Sequence, residues 1–403
     1  MLKKTECHPF SSHYSLRIVI LLLGSIRLLA PSTTIADDRI DPTLGRSDPK
    51  QKLLWYDIRD LGVEGQGWTN TKAPFDRLPA SAEKQVRPPV WNLSRHSAGL
   101  SVRFRTSTPK LTARWTLTSA NLAMPHMPAT GVSGLDLYVR PAITGQAPQK
   151  THTWQWLATG RPSKFPTNEV VLVDNLPQAS REYSLYLPLY NGVQSVEIGV
   201  PPEHPLYKLP RVAGKRKPII FYGTSITQGG CASRTGMVHT AILSRRLDEP
   251  VINLGFSGNG RMEQPLADLM ASIDAAIYVI DCLPNMNGKD VAARTEPLVQ
   301  TLRKAHPDTP ILLVEDRSYS NAFLVKSAQD RNQQNRQALQ AAYQKLTAAG
   351  VRKLYYLPGK HLLGSDNLGT VDGSHPTDLG FMRMADVFEP VLRKILTESR
   401  SNR

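Results

Sequence analysis

Five short apolar runs with helical stretches between them, starting near Lys217, constrain the chain more than any other feature. The runs are Pro218–Tyr222, Val251–Leu254, Ala276–Asp281, Ile311–Val314 and Lys353–Leu357. They are apolar nearly throughout, as strands covered on both faces require. The residues between and after them predict helices over Met237–Leu247, Pro265–Ser272, Glu296–Ala305, Gln329–Ala349 and about Thr377 to Leu396. This alternation predicts an α/β fold built on a doubly wound parallel sheet. In such a sheet ligands collect at the carboxyl ends of the strands, so chemistry is sought there.

The first run ends in Gly223-Thr224-Ser225, which delivers a serine where a ligand would sit. The second ends in Asn253-Leu-Gly-Phe-Ser-Gly258-Asn-Gly260, whose glycine-rich backbone can turn N–H groups into a cleft. The third ends in Asp281-Cys-Leu-Pro-Asn285, where an asparagine offers an amide donor. Before the last helix stands Asp372-Gly-Ser-His375-Pro376. A serine hydroxyl becomes a nucleophile when a histidine takes its proton, and a carboxylate usually orients that histidine. Asp372 and His375, three apart on a turn, have a spacing that permits this, with Pro376 as the first helical residue. The Ser225 N–H, the Gly258 N–H and the Asn285 side chain are candidate donors to an oxyanion. Each also has a plain structural reading: a helix cap for Asp372, a structural histidine, turn chemistry for Asn285 and Gly258. Four such features in order at strand ends favour the catalytic one.

The first half has a different texture. Leu100–Arg105, Leu111–Leu117, Leu135–Val139, Thr153–Leu157 and Val196–Val200 are short period-2 runs divided by Pro, Gly and Asn clusters. Over residues 45–212 they predict an antiparallel β-sandwich, with no helix before residue 218. A proline-rich, basic stretch ending in Lys215-Arg216-Lys217 forms the linker. All six tryptophans, Trp55, Trp68, Trp91, Trp115, Trp154 and Trp156, lie here, either as core or as sugar-stacking platforms. Trp115 is in phase with Leu111 and Leu117 and is expected in the core. Residues 1–36 have the make-up of an export signal. Lys3, Lys4 and Arg17 precede the apolar stretch Ile18–Ile26, and Thr34-Ile35-Ala36 offers a cleavage site. The mature chain is expected outside the cytoplasm, with no stable membrane span once the signal is removed; Arg27 interrupts the apolar run, which leaves an uncleaved anchor as the alternative. The net charge of +15 is spread along the chain without a nucleic-acid motif, so no nucleic-acid partner is expected. Cys231 and Cys282 could pair or remain two small buried hydrophobes.

With these residues in hand, the sequence resembles the SGNH (GDSL-type) hydrolase superfamily. Ser225 in Gly-Thr-Ser-Ile-Thr, Gly258 in Leu-Gly-Phe-Ser-Gly-Asn, Asn285 in Leu-Pro-Asn and the Asp372-x-x-His375 pair match its four blocks in order. The resemblance spans residues 217–397 and implies a flavodoxin-like five-stranded catalytic domain. Gly134-Leu-Asp-Leu-Tyr138 resembles the Gly-x-Asp-Leu-Tyr signature of a group that carries an N-terminal β-sandwich. Two blocks depart from the pattern: Thr224 replaces the aspartate before the nucleophile, and Leu283 and Met286 flank Asn285 unusually, with Asn287 a competitor. The family implies ester hydrolysis, often of O-acetyl groups on carbohydrates, without metal or organic cofactor. The sequence therefore predicts an exported serine esterase acting on a small-molecule or polysaccharide ester. The alternatives are a lipid-directed acylhydrolase, against which no long apolar loop appears near the motifs, or an inert polysaccharide-binding protein.

Overall fold

The computed structural model describes residues 38–140, 153–209 and 216–401. The expected signal, residues 1–36, lies outside the described residues, as does Cys7.

Before residue 210 the described strands are β1 (Arg46–Asp48), β2 (Leu53–Asp57), β3 (Val63–Glu64), β4 (Ser101–Thr106), β5 (Leu111–Leu117), β6 (Leu135–Arg140), β7 (Gln155–Gly160), β8 (Thr167–Val173), β9 (Arg181–Tyr186), β10 (Val193–Val200) and β11 (Tyr207–Lys208). They form two antiparallel sheets, ordered β1-β2-β10-β5-β8 and β11-β4-β9-β6-β7, with β3 paired to β4. Inward residues of both sheets share one core, including Trp115, Leu111 and Leu117 of β5 and Leu135 and Leu137 of β6. Trp115 is buried, as its phase predicted, and its Nε1 donates to the Ser133 carbonyl at 3.0 Å. Trp55 and Trp91 are also buried, whereas Trp156 is 52% exposed.

The sheet in the second half contains β12 (Ile219–Gly223), β13 (Val251–Gly255), β14 (Ile277–Asp281), β15 (Ile311–Val314) and β16 (Leu354–Leu357). Every pair is parallel and the order is β13-β12-β14-β15-β16. The first strand of this sheet is thus flanked by the second and third, the doubly wound order expected. Side chains alternate between two buried faces. Ile220 and Tyr222 pack with the helices Gln264–Met270 and Gly288–Ala305, while Ile219 and Phe221 pack with His239–Leu247 and Asp378–Ser401. Both faces being apolar explains why the strands read as unbroken hydrophobic runs.

Three expectations need correction. A helix does precede residue 218, at Pro88–Ser94, where prolines occupy its first turn and Val90 and Trp91 are buried. Together with Leu78, Ala82 and Val86 these residues pack on the α/β core, so residues 78–91 cover a face of the parallel sheet. The helix expected from Glu296 begins at Gly288, because the Asn287 side chain accepts the Asp290 N–H and caps it. The last helix begins at Asp378, and Pro376 instead bridges Thr370 in the turn before it.

Candidate active site

The register of the parallel sheet aligns Gly223 with Gly255 on one side and with Asp281 on the other. Three chain segments therefore leave the sheet side by side. Gly223 is required for space: a Cβ there would meet Thr227 Oγ1 at 2.0 Å and the Asp281 carbonyl at 2.8 Å. Thr224 then caps the short helix Ser225–Gln228, its hydroxyl accepting the Ile226 N–H. Thr224, which stands where the resembled pattern has an aspartate, thus has a capping role. Ser225 opens this helix, which leaves its own N–H without an intrahelical acceptor.

Ser225 Oγ lies 2.8 Å from His375 Nε2, and His375 Nδ1 lies 2.7 Å from Asp372 Oδ2. The other Asp372 oxygen accepts the backbone N–H groups of Ser374 (2.9 Å) and His375 (2.8 Å). Asp372 therefore both caps its turn and orients the imidazole. Partial burial works against ionisation of Asp372, but the His375 and Ser374 N–H groups and the imidazole outweigh it and hold the pKa at about 2. With Nδ1 facing a carboxylate, the tautomer follows: Nδ1 carries the proton and Nε2 accepts from Ser225.

The turn carrying His375 is fixed from outside. Arg317, fully buried, donates from Nε to the Ser374 carbonyl (3.3 Å) and from its guanidinium to Ser374 Oγ and Asp316. Ser320 N–H donates to the Gly373 carbonyl at 2.9 Å.

The loop after β13 returns toward the helix that Ser225 opens, the Ser257 N–H donating to Gln228. Gly258 adopts φ +69°, a left-handed conformation that disfavours side chains. Hydrogen bonding assigns the Asn285 amide: with Oδ1 toward the Asn259 and Gly260 N–H groups it accepts both, at 3.1 and 3.2 Å. That choice releases Nδ2 as a donor. Asn287, the competitor, is committed to its helix cap, bonding Asp290 through both side-chain atoms.

Residues of the first half hold this loop. Buried Arg77 donates to the carbonyls of Asn253 (3.0 Å) and Gly255 (2.8 Å) as well as those of Leu93 and His96. Burial pulls its pKa down to about 9. Arg87 donates to Asn259 Oδ1 at 2.8 Å and pairs with Glu263. Gln228, buried on the nucleophile helix, donates to the Leu189 carbonyl (3.1 Å), lies 3.0 Å from His96 Nδ1, and accepts the Ser257 N–H at 3.0 Å. Tyr190 donates its hydroxyl to the Ser225 carbonyl at 3.2 Å. Sequence reading missed all of these. The one available signal was Gln228, a polar residue within a short buried turn.

The Gly134–Tyr138 signature faces the same neighbourhood. Buried Asp136 accepts from Arg234 (2.8 and 3.0 Å), the Gly236 N–H (3.0 Å) and Trp156 Nε1 (3.0 Å). Arg234 also donates to the Tyr138 hydroxyl at 3.2 Å. The strand's one buried polar residue thus anchors the loop that follows the nucleophile helix.

Cys231 and Cys282 are both free and buried. Burial, with the Asp372 charge nearby, pushes the Cys231 thiol up to about 12, which leaves it a poor nucleophile. Among the described residues no group of three or more His, Cys, Asp or Glu side chains could hold a metal ion.

Residues 216–393 match the GDSL-like Lipase/Acylhydrolase family, and residues 53–206 match the N-terminus of Esterase_SGNH_hydro-type, GxDLY. A GDSL-like lipase from Bacteroides ovatus is 35% identical over 86% of this chain and 98% of its own, with a TM-score of 0.79. The chain belongs to the SGNH (GDSL-type) hydrolases. It is an ester-bond hydrolase. Two more distant structures share the fold. The salicylyl-acyltransferase SsfX3 from a tetracycline biosynthetic pathway is 20% identical (87% and 96% covered, TM-score 0.66). A family two carbohydrate esterase from Clostridium thermocellum in complex with cellohexaose is 14% identical (74% and 95% covered, TM-score 0.50). No curated protein sequence matches the chain.

Proposed function

We propose that this SGNH hydrolase is an exported serine esterase that removes small acyl groups, chiefly acetyl, from carbohydrate esters. Residues 45–212 would form its β-sandwich domain and 217–397 its catalytic domain, behind a signal over 1–36. The observation that carries the reading is the continuous relay Ser225–His375–Asp372, at 2.8 and 2.7 Å. Ser225 Oγ attacks the acyl carbon while His375 Nε2 takes its proton, and Asp372 stabilises the imidazolium that forms. The Ser225 and Gly258 N–H groups and Asn285 Nδ2 receive the oxyanion. Collapse breaks the acyl–oxygen bond, and His375 returns the proton to the leaving alcohol. Water, deprotonated by His375, then attacks the acyl-enzyme and releases the carboxylic acid with Ser225 restored. The relatedness to a carbohydrate esterase supports the choice of substrate at the level of fold. Among the described residues no helix is long and apolar enough to cross a membrane.

One observation favours a second reading, a lipid-directed acylhydrolase. A short apolar loop does stand near the catalytic turn: Phe323, Leu324 and Val325 are exposed, the first two by 70% and 81%. Asn321, which begins that loop, packs against Gly373 beside Asp372, and Val371 is exposed there too. The test is hydrolysis of acetylated glycans and of long-chain esters by wild type and Ser225→Ala. Preference for the acetyl esters, abolished by the substitution, is expected. Preference for long chains would select the second reading, and retained turnover in Ser225→Ala would end both.

A further inference from the structure

We infer that His126, supplied by the β-sandwich half, is a substrate-binding residue that contacts the alcohol portion of the ester. The inference rests on the serine-esterase reading above. His126 stands at the tip of a tight turn in which Met124 and Met127 exchange both backbone hydrogen bonds, at 2.9 and 3.1 Å. Its ring is exposed, and its aromatic neighbour is His375, 6.0 Å away between ring centroids and tilted by 59°. Among the described residues it has no hydrogen-bond partner, so both ring nitrogens are available.

The turn is held in register with the nucleophile loop. Met127 is buried in a core shared with Ile226, Ala232 and Phe381. Thr130 Oγ1 donates to the Ser233 carbonyl at 2.6 Å. Gly131 packs so tightly on Ala232 that a Cβ would meet its carbonyl oxygen at 2.2 Å. An exposed imidazole on a rigid turn is a preorganised contact, because little motion is lost when it binds.

The side of the ester follows from the chemistry. His375 must hand its proton to the departing oxygen, so the alcohol leaves beside His375. A first-half group whose ring stands beside the His375 ring therefore meets the alcohol and not the acyl chain. An imidazole can donate to or accept from a hydroxyl, which suits a polyol such as a sugar, whose neighbouring hydroxyls surround the ester.

The test compares two acetates with the same acyl group, 4-nitrophenyl acetate and an acetylated monosaccharide, using the full chain and its His126→Ala and His126→Asn variants. Loss of one hydrogen bond lowers kcat/KM on the sugar acetate roughly three- to tenfold in His126→Ala, chiefly through KM, with partial recovery in His126→Asn. The aryl acetate, whose leaving group offers the imidazole no hydroxyl, loses less than the sugar acetate does. A parallel loss on both substrates, no loss on either, or a wild-type enzyme that leaves the sugar acetate intact overturns the assignment. Retained activity in Ser225→Ala would instead refute the underlying mechanism, so the two failures are distinguishable.

Discussion

Gln228 ties three parts of the site together, and its replacement by leucine makes a sharp test of how the oxyanion loop is held. Leucine approximates its volume but neither donates nor accepts. Three groups lose their partner at once: the Leu189 carbonyl, His96 Nδ1 and the Ser257 N–H. The Leu189 bond is buried and the other two are partly buried, so water can rescue some of the loss. At about 1–3 kcal/mol for each buried group left unsatisfied, the variant should lose roughly 2–5 kcal/mol of stability in urea unfolding. Ser257 directly precedes Gly258, so the same change frees the loop that offers the Gly258 N–H. Complete loss of one oxyanion donor costs on the order of 10²–10³ in kcat. Partial displacement should cost about 10- to 100-fold, with KM for an aryl acetate little changed. A variant that unfolds as easily as expected yet keeps kcat within about threefold would refute the claim that Gln228 sets this loop.

Other outcomes follow from the same contacts. Asp372→Asn removes the carboxylate that orients His375 and should lower kcat by about 10²–10⁴ in steady-state assays while leaving KM largely unchanged. Because Asp372 is held at about 2, below its ordinary value, its stabilising bonds persist above the unfolded carboxylate pKa and fade only as pH falls toward 2. Acid unfolding followed against pH should therefore show the Asp372 contribution complete above about pH 4 and lost by about pH 2. His239 is fully buried between Phe221, Phe381 and Phe388, and burial depresses its pKa to about 3. Since the unfolded imidazole titrates near 6.5, stability should fall as pH drops below that value, by about 2 kcal/mol at pH 5, and His239→Phe should flatten this slope in thermal melts. Asp136→Ala strands half-buried Arg234 and should cost about 3–5 kcal/mol, whereas the Asp136→Ala, Arg234→Met pair should recover part of it in a double-mutant cycle.

The parallel sheet was legible because its strands are apolar on both faces, and all five begin and end within one residue of the expected runs. The sandwich was legible in kind but incompletely. Thr167–Val173 and Arg181–Tyr186 do not alternate cleanly between buried and exposed positions, and the period-2 signal is lost there. Pro88–Ser94 was hidden because its apolar residues serve the other half's core. At the site, Ser225, Asp372 and His375 were legible because each sits in a local motif next to a turn. Gly258 and Asn285 were legible by position, and the amide bonds of Asn285 then distinguish it from Asn287. His96, His126, Tyr190 and Arg77 carry no local motif. They reach the site only because the sandwich half packs against the strand ends, a juxtaposition that no spacing encodes.

The central claim is that Ser225 is the nucleophile activated by His375. Its most direct measurement is peptide mass mapping of the intact enzyme after reaction with a fluorophosphonate. One adduct should appear on the peptide containing Ser225, be absent in Ser225→Ala, and form far more slowly in His375→Ala. An adduct at another residue, or full esterase activity in a protein that carries the Ser225 adduct, would contradict the account.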